Sequence, residues 1–565
     1  MRGGLRTLFF ATAALGAAVV LFVALTLPPA SVNLGARLPA TYATGAYHVH
    51  SSRSDGTGTP DEIAAAASRA GLSFVIVTDH GDATRAPDPP EYHDGVLVID
   101  AVEINTASGH IVALGLSGPA PYPLAGSAAD VIEDIHRLGG WAVVAHPDSP
   151  KESLRWRGSA NAPFDGIEWI NADAEWRDET ARRLVTTAAR AVFRGPESVA
   201  LLFRSPGRTF ARWDQASRFR AAPVFGLAAL DAHANIPWRE EDEPRRQTAI
   251  ERPTYETMFR TLVQTVSLDA PLSGDASTDA RRVLRAITSG RSFSVVRAFA
   301  YPAALTFTAE TGGRTVAMGE SVPEAGGPAT FRSAVDRAPG VRMSLLRNGQ
   351  PVGFGTGALE VTEAAASGVY RVVAEWPGQS TPWLVSNQIV IGTQPPSGPP
   401  ESFLVEPSGW IDLRSDDHPW SAEQHSPDSS GALTIDGGAM RFDYRLGGGT
   451  PSGQFAALTG LVGADAGIDR VTFTARADRP TRVSLQVKLP RGNAVRWRRS
   501  VYLDQTERTI TVRLPEFEPA DVVTTSRPNV TPLQSVLFVL DTLNSATGSS
   551  GTLWISRVSL GTVTP

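Results

Sequence analysis

Six of the ten histidines and four carboxylates fall in a series of short motifs: Tyr47-His48-Val49-His50, Ser54-Asp55-Gly56, Val77-Thr78-Asp79-His80, Val102-Glu103, Gly109-His110, Ala145-His146-Pro147 and Asp231-Ala232-His233. Imidazole nitrogen with carboxylate oxygen suits zinc, manganese or iron, and a carboxylate that bridges two ions turns a single site into a cluster. Residues i and i+2 of a strand face the same side, so His48 pairs with His50 and Asp231 with His233 as chelating edges. Each motif alone is weak; their gathering in one stretch points to a metal site. The chain has no cysteine, which excludes thiolate ligands, a cysteine nucleophile and a disulfide framework.

The elements that must position these residues are short strands alternating with helices. Candidate strands run over Ala46–His50, Phe74–Thr78, Val96–Glu103, Ile111–Leu116, Trp141–His146, Gly166–Ile170 and Val224–Ala229. Helices are expected over Pro60–Ala70, with Thr59 as N-cap and Pro60 at the first helical position, and over Ala128–Leu138. Nearly every motif falls at the C-terminal end of a strand, the face where β/α barrels build their active sites. The expected fold is a distorted (β/α)7 barrel followed by a small β-sandwich and a larger jelly-roll-like β-sandwich. The segments expected are 1–40, an N-terminal anchor or signal segment with a linker; 41–300, the barrel; 301–392, an immunoglobulin-like sandwich; 393–402, a Pro/Gly/Ser linker; and 403–565, a galactose-binding-like sandwich.

With 565 residues the chain exceeds a single core. A net charge of -6 gives no basic surface, so a nucleic-acid partner is not expected. Arg2 and Arg6 precede an uncharged stretch from Thr7 to Leu27, which is long enough to span a bilayer. The expectation is a membrane anchor with the bulk of the chain outside the cytoplasm; the alternative is a cleaved signal peptide and secretion.

The ordered motifs resemble those of the PHP (polymerase and histidinol phosphatase) superfamily over roughly residues 44 to 297. The likeness is nearest to the stand-alone, carbaryl-hydrolase-like metallohydrolases in which a β-sandwich follows the catalytic domain. Tyr255-Glu-Thr-Met-Phe259 and Pro382-Trp-Leu-Val-Ser-Asn387 fit that group too. The resemblance implies two or three divalent transition metals. His48, His50, Glu103 and Asp231 would hold one; Asp55, His80 and His233 a second; and Glu103 would bridge to a third completed by His110 and His146. Some members have His where this chain has Asp55, which bears on the metal preferred there. Asp79 reads as a residue that orients a ligand or caps a loop.

Such cations would turn water into hydroxide near neutral pH and stabilise charge on a substrate's oxygens, so no protein nucleophile is needed. A phosphoesterase is the leading expectation, acting on a small-molecule or surface-polymer ester, with Arg53, Arg85 and Lys151 as candidate substrate clamps. The same site could cleave a carbamate, ester or amide, a reading that a wide apolar pocket around Trp169 and Trp141 would favour. A third reading is a surface carbohydrate-binding protein with an inactive barrel, using Trp410, Trp420, Trp497 or Trp554 as stacking rings. His93 lies in a loop without a partner motif and His136 reads as a helix-surface residue, while His418 and His425, near Asp416, Asp417 and Trp420, read as a solvated loop with a minor metal or ligand site as the alternative.

Overall fold

The structure is a computed structural model that describes residues 2–159, 162–218, 223–235, 252–322, 327–364, 367–392, 407–414, 418–425, 428–448, 453–463, 467–489, 495–520 and 531–562. The linker expected at 393–402 lies outside the described residues. The chain forms two compact units. The first comprises Met1–Gly81, Pro87–Gly118 and Ile135–Ser397; the second comprises Asp82–Ala86, Pro119–Asp134 and Gly398–Pro565.

In the first unit, Tyr42–Val49, Phe74–Val77 and Val96–Asp100 lie parallel. Their near-continuous apolar runs suit strands covered on both faces. They belong to a large sheet that continues through Val263–Ser267, Ser292–Val295 and Pro382–Ser386 into the antiparallel strands between residues 305 and 391. A second, five-stranded sheet is ordered Phe225–Ala229, Gly166–Asn171, Trp141–Val144, Gly109–Leu114 and Val102–Thr106. Tyr47, Phe74, Ile76, Leu97, Val112, Val143, Phe225 and Leu227 form the core that these strands share.

Among the described residues the strands do not form the distorted (β/α)7 barrel expected for this unit but two separate sheets, one of them mixed with antiparallel strands. Only Ala107 and Ser108 separate Val102–Thr106 from Gly109–Leu114. A parallel crossover needs a dozen or more residues, so this connection forces an antiparallel hairpin. The strand expected over Val96–Glu103 also breaks at Ala101, and its two halves enter different sheets. The two sheets meet at isolated parallel bridges, Val49 with Ala232 and His80 with Glu103. Each bridge falls on or beside candidate ligands. The helix Pro60–Arg69 starts at a Thr59 cap whose hydroxyl accepts from the Glu62 N–H, while Glu62 reaches back to the Thr59 N–H.

The membrane anchor expected at the N-terminus is also corrected. Residues Arg2–Thr26 are helical, but among the described residues no helix is long and apolar enough to cross a membrane. The helix end is tied to the first unit, where Arg190 Nε donates to Thr26 Oγ1 at 3.2 Å.

The second unit is all-β among its described residues from 407 onward, apart from one short turn of helix, Leu514–Glu516. Its strands form two six-stranded sheets. Burial alternates along Ile468–Ala477, the period of a strand with one face on a core. Phe442, Phe473, Trp497 and Phe538 fill that core.

Candidate metal centre

The centre is assembled where strands of the first unit end. His48 and His50 close Tyr42–Val49, Glu103 opens the hairpin, His110 returns on it, and Asp231 follows Phe225–Ala229. His48, His146 and Asp231 have φ of 63°, 28° and 50°. A left-handed backbone at a non-glycine residue costs about 1–3 kcal/mol and persists only where its surroundings impose it. Three such residues among the candidate ligands are the mark of a preorganised site. Gly56 serves the same loop: a Cβ there would lie 2.2 Å from the His50 carbonyl oxygen.

Four ligand atoms converge. His48 Nε2 is 3.1 Å from His50 Nε2, 3.2 Å from Glu103 Oε2 and 3.4 Å from Asp231 Oδ1. His50 Nε2 is 3.3 Å from Glu103 Oε2 and 3.1 Å from Asp231 Oδ1. Spacings of this size are those of donor atoms that share one cation at bonds of about 2 Å, and His48, His50 and Glu103 form one such group, with Asp231 beside its two imidazoles. All four residues are buried.

A second group is formed by His50, Asp55, His80 and His233. Asp55 Oδ2 is 3.2 Å from His233 Nε2 and 3.5 Å from His80 Nε2, while Asp55 Oδ1 is 3.3 Å from His50 Nδ1. Glu103 joins this group to a third. Its Oε2 faces His48, His50 and His80, and its Oε1 lies 2.8 Å from both His110 Nδ1 and His146 Nε2. His80 Nδ1 is buried without a hydrogen-bond partner although Glu103 Oε2 is 3.3 Å away. The pair is misaligned for a hydrogen bond but spaced like two ligands of one cation.

Electrostatics follow from the packing. Burial would raise the Glu103 carboxyl, but the His80, His48 and His110 rings outweigh it and hold the group well below the usual carboxylate range. Burial likewise opposes ionisation of Asp231, and His48, His50 and His233 reverse it. Burial would lower the His233 imidazole, yet Asp55, then Asp231 and Asp173, push it up to about 10. His110 goes the other way, because burial exceeds the pull of Glu103. Clustered carboxylates that stay ionised, facing imidazoles whose protons a cation can displace, are the donor set a metal needs.

All nine candidate ligands therefore come together. Arg53 pairs with Asp88 and lies 4.0 Å from Asp100. Arg85 belongs to the second unit and donates to the Ala86 carbonyl. The Lys151 carbonyl accepts from Leu154 and Arg155 in a turn. Asp79 acts on the loop: it accepts from the Ser51 N–H, the Ser51 hydroxyl and the Ser54 hydroxyl. Tyr255 OH donates to the His50 carbonyl at 2.8 Å and accepts from the Thr57 and Gly58 N–H groups.

Sequence reasoning missed Glu168 and Asn171. Glu168 Oε1 is 2.5 Å from His48 Nδ1, and its Oε2 accepts from the His146 N–H and from Asn171 Nδ2. Asn171 Nδ2 also reaches Asp231 Oδ2 at 3.2 Å. The signal was a glutamate inside the fully buried strand Gly166-Ile-Glu-Trp-Ile-Asn171.

No family model matches the chain. Over 120 residues it is 32% identical to an uncharacterised protein of Methanocaldococcus jannaschii, MJ1587, a match that spans 21% of this chain and 69% of that protein. The chain belongs to the family of this archaeal protein. Solved structures similar to part of the chain include a family 11 carbohydrate-binding module from Clostridium thermocellum in complex with a mixed-linked tetrasaccharide, at 14% identity and a TM-score of 0.20, covering 25% of this chain and 87% of that one. Another is a family 29 carbohydrate-binding module, at 12% identity and a TM-score of 0.18, covering 27% of this chain and 91% of that one. The structure of PfGH50B matches at 10% identity and a TM-score of 0.19, covering 26% of this chain and 22% of that one.

Proposed function

We propose that this chain is a metal-dependent hydrolase of the PHP type, acting on phosphoesters. The observation that carries the reading is the close grouping of His48 Nε2, His50 Nε2 and Glu103 Oε2, 3.1 to 3.3 Å apart, with Asp231 Oδ1 at 3.4 and 3.1 Å from the two imidazoles. Zinc, manganese or iron held by these residues and by the neighbouring Asp55, His80, His110, His146 and His233 would supply Lewis acidity and lower the pKa of water. The chain's own residues fix the donors, keep Glu103 and Asp231 ionised and set the order of the imidazoles. A carbamate or carboxylic ester remains chemically open to the same site, but Trp169 is no wall of an open apolar pocket. It is 1% exposed, packs on Phe210 and donates to Ser294 Oγ.

The test is metal content by mass spectrometry on the purified full chain, with hydrolysis of a chromogenic phosphate monoester, a phosphodiester and a carbamate. Two or three bound ions, and phosphoester turnover abolished in His48→Ala, are expected. No metal after reconstitution with zinc, manganese and iron rejects the hydrolase.

A second reading, carbohydrate binding by the second unit, is favoured by one observation. The Trp410 ring is 53% exposed. The other candidate rings are engaged: Trp497 is core, Trp420 packs against that core and donates to the Leu413 carbonyl, and Arg476 covers Trp554 at 3.8 Å. Loss of saccharide binding in Trp410→Ala would establish this surface.

A further inference from the structure

We propose that the second unit holds a cleft for a neutral saccharide, distinct from the Trp410 surface; the proposal rests on the carbohydrate reading of that unit and gives it a location. The cleft measures about 740 Å³ and includes Tyr122, Tyr444, Arg479, Asn544, Thr547 and Ser549 in its lining. All six residues belong to the second unit. The volume falls within the roughly 300–1,000 Å³ of small-molecule sites, room for a few sugar rings.

The lining chemistry selects the ligand class. Hydroxyl and amide groups of Asn544, Ser545, Thr547, Ser549 and Ser550 share the cleft with two buried tyrosines, of which Tyr122 donates its hydroxyl to Asp134 Oδ1. Ser549 is the most telling. Its N–H donates to the Ala546 carbonyl and its carbonyl accepts from the Leu446 N–H, so its place is fixed, yet its hydroxyl is buried with no hydrogen-bond partner. A buried hydroxyl in that state favours a ligand that donates or accepts there. The Asn544 amide plane is set by donation to the Pro123 and Ala125 carbonyls, both at 3.1 Å.

The charges exclude an anion. The Arg479 guanidinium is held by Asp478 at 2.8 Å. The second charge of the lining is a carboxylate, Asp82, which accepts from the Thr84 N–H and hydroxyl. With the cation paired and a carboxylate present, a phosphate or acidic sugar gains nothing there, whereas a neutral polyol meets hydroxyl and amide groups that hydrogen-bond it.

The experiment is calorimetric titration of the full chain with neutral tetrasaccharides of glucose, galactose and mannose, with inorganic phosphate as an anionic control. Thr547 is an exposed rim residue, so Thr547→Trp fills the cleft without touching the core, and Ser549→Val removes the hydroxyl while keeping its shape. At least one tetrasaccharide is expected to bind, with Kd raised about tenfold or more in both variants and unchanged in Trp410→Ala. Binding lost in Trp410→Ala but kept in Thr547→Trp overturns the cleft and leaves the carbohydrate reading standing. No binding of any saccharide overturns both, and phosphate binding in their place overturns the neutral-ligand assignment.

Discussion

His48 Nδ1 lies 2.5 Å from Glu168 Oε1, and both side chains are closed to solvent. Since Glu168 engages Nδ1, the other ring nitrogen, Nε2, is turned toward His50, Glu103 and Asp231. The second oxygen of Glu168 holds the His146 N–H and the Asn171 amide. One carboxylate thus orients a ligand on one strand, anchors the backbone of another, and is linked through Asn171 to a third, Asp231. Such a partner fixes the tautomer and ring angle of a metal-binding histidine.

Glu168→Gln is expected to weaken metal binding by about 10- to 100-fold, because the amide offers one acceptor oxygen where Glu168 uses two. Competition against a calibrated chelator measures it. Affinity equal to that of the unaltered chain would show that Glu168 only fills space.

Glu103→Gln should remove more than one ion per chain. Its two oxygens face different sets of histidines, and a neutral amide withdraws the negative charge from both sets while leaving one of them facing an N–H donor instead of an acceptor. Metal content by mass spectrometry checks the count, and loss of a single ion would mean the carboxylate does not bridge.

The site was legible in the sequence because metal binding restricts residue types: His48-Val-His50 and Asp231-Ala-His233 advertise themselves by spacing alone. Glu168 was not legible, since a single glutamate in an apolar strand gains its meaning only when His48 folds against it. The barrel expectation failed for a related reason. The alternation of apolar runs was read as β/α units, but the two-residue connection Ala107-Ser108 dictates a hairpin, and connection length outweighs periodicity. The hydrophobic N-terminus shows the same limit of composition, because among the described residues no helix meets the length and apolarity of a span.

The metal-free protein should lose stability as pH rises from neutral. His233 is pushed up to about 10, against burial, by Asp55 and its neighbours, whereas an unfolded histidine titrates near 6.5. The folded state therefore holds the proton more tightly. The stabilisation is complete below about pH 6.5 and is lost as pH climbs through about 10. Asp55, Asp231 and Glu103 are depressed, so their contribution is present above the ordinary carboxylate range and fades on acidification. Urea midpoints of chelator-treated protein between pH 7 and 10 should fall in the unaltered chain and fall less in His233→Gln. Equal slopes would show that the imidazole gains no proton affinity on folding.

Tyr255→Phe should disturb the Asp55 side of the centre more than the Glu103 side. The phenol oxygen ties the His50 carbonyl to the Thr57 and Gly58 N–H groups, and the His233 carbonyl lies 3.2 Å from it. The Asp55 loop is thereby pinned between two ligand-bearing segments. Removing the hydroxyl leaves buried backbone groups without a partner, at a cost of about 1–3 kcal/mol. It leaves the contacts of Glu103 with His110 and His146 untouched. The expected result is a lower thermal midpoint together with loss of the most weakly held ion, while the remaining metal resists the chelator as before. Uniform weakening of every ion would place Tyr255 in general support of the fold, whereas selective loss identifies it as the brace of the loop that carries Asp55.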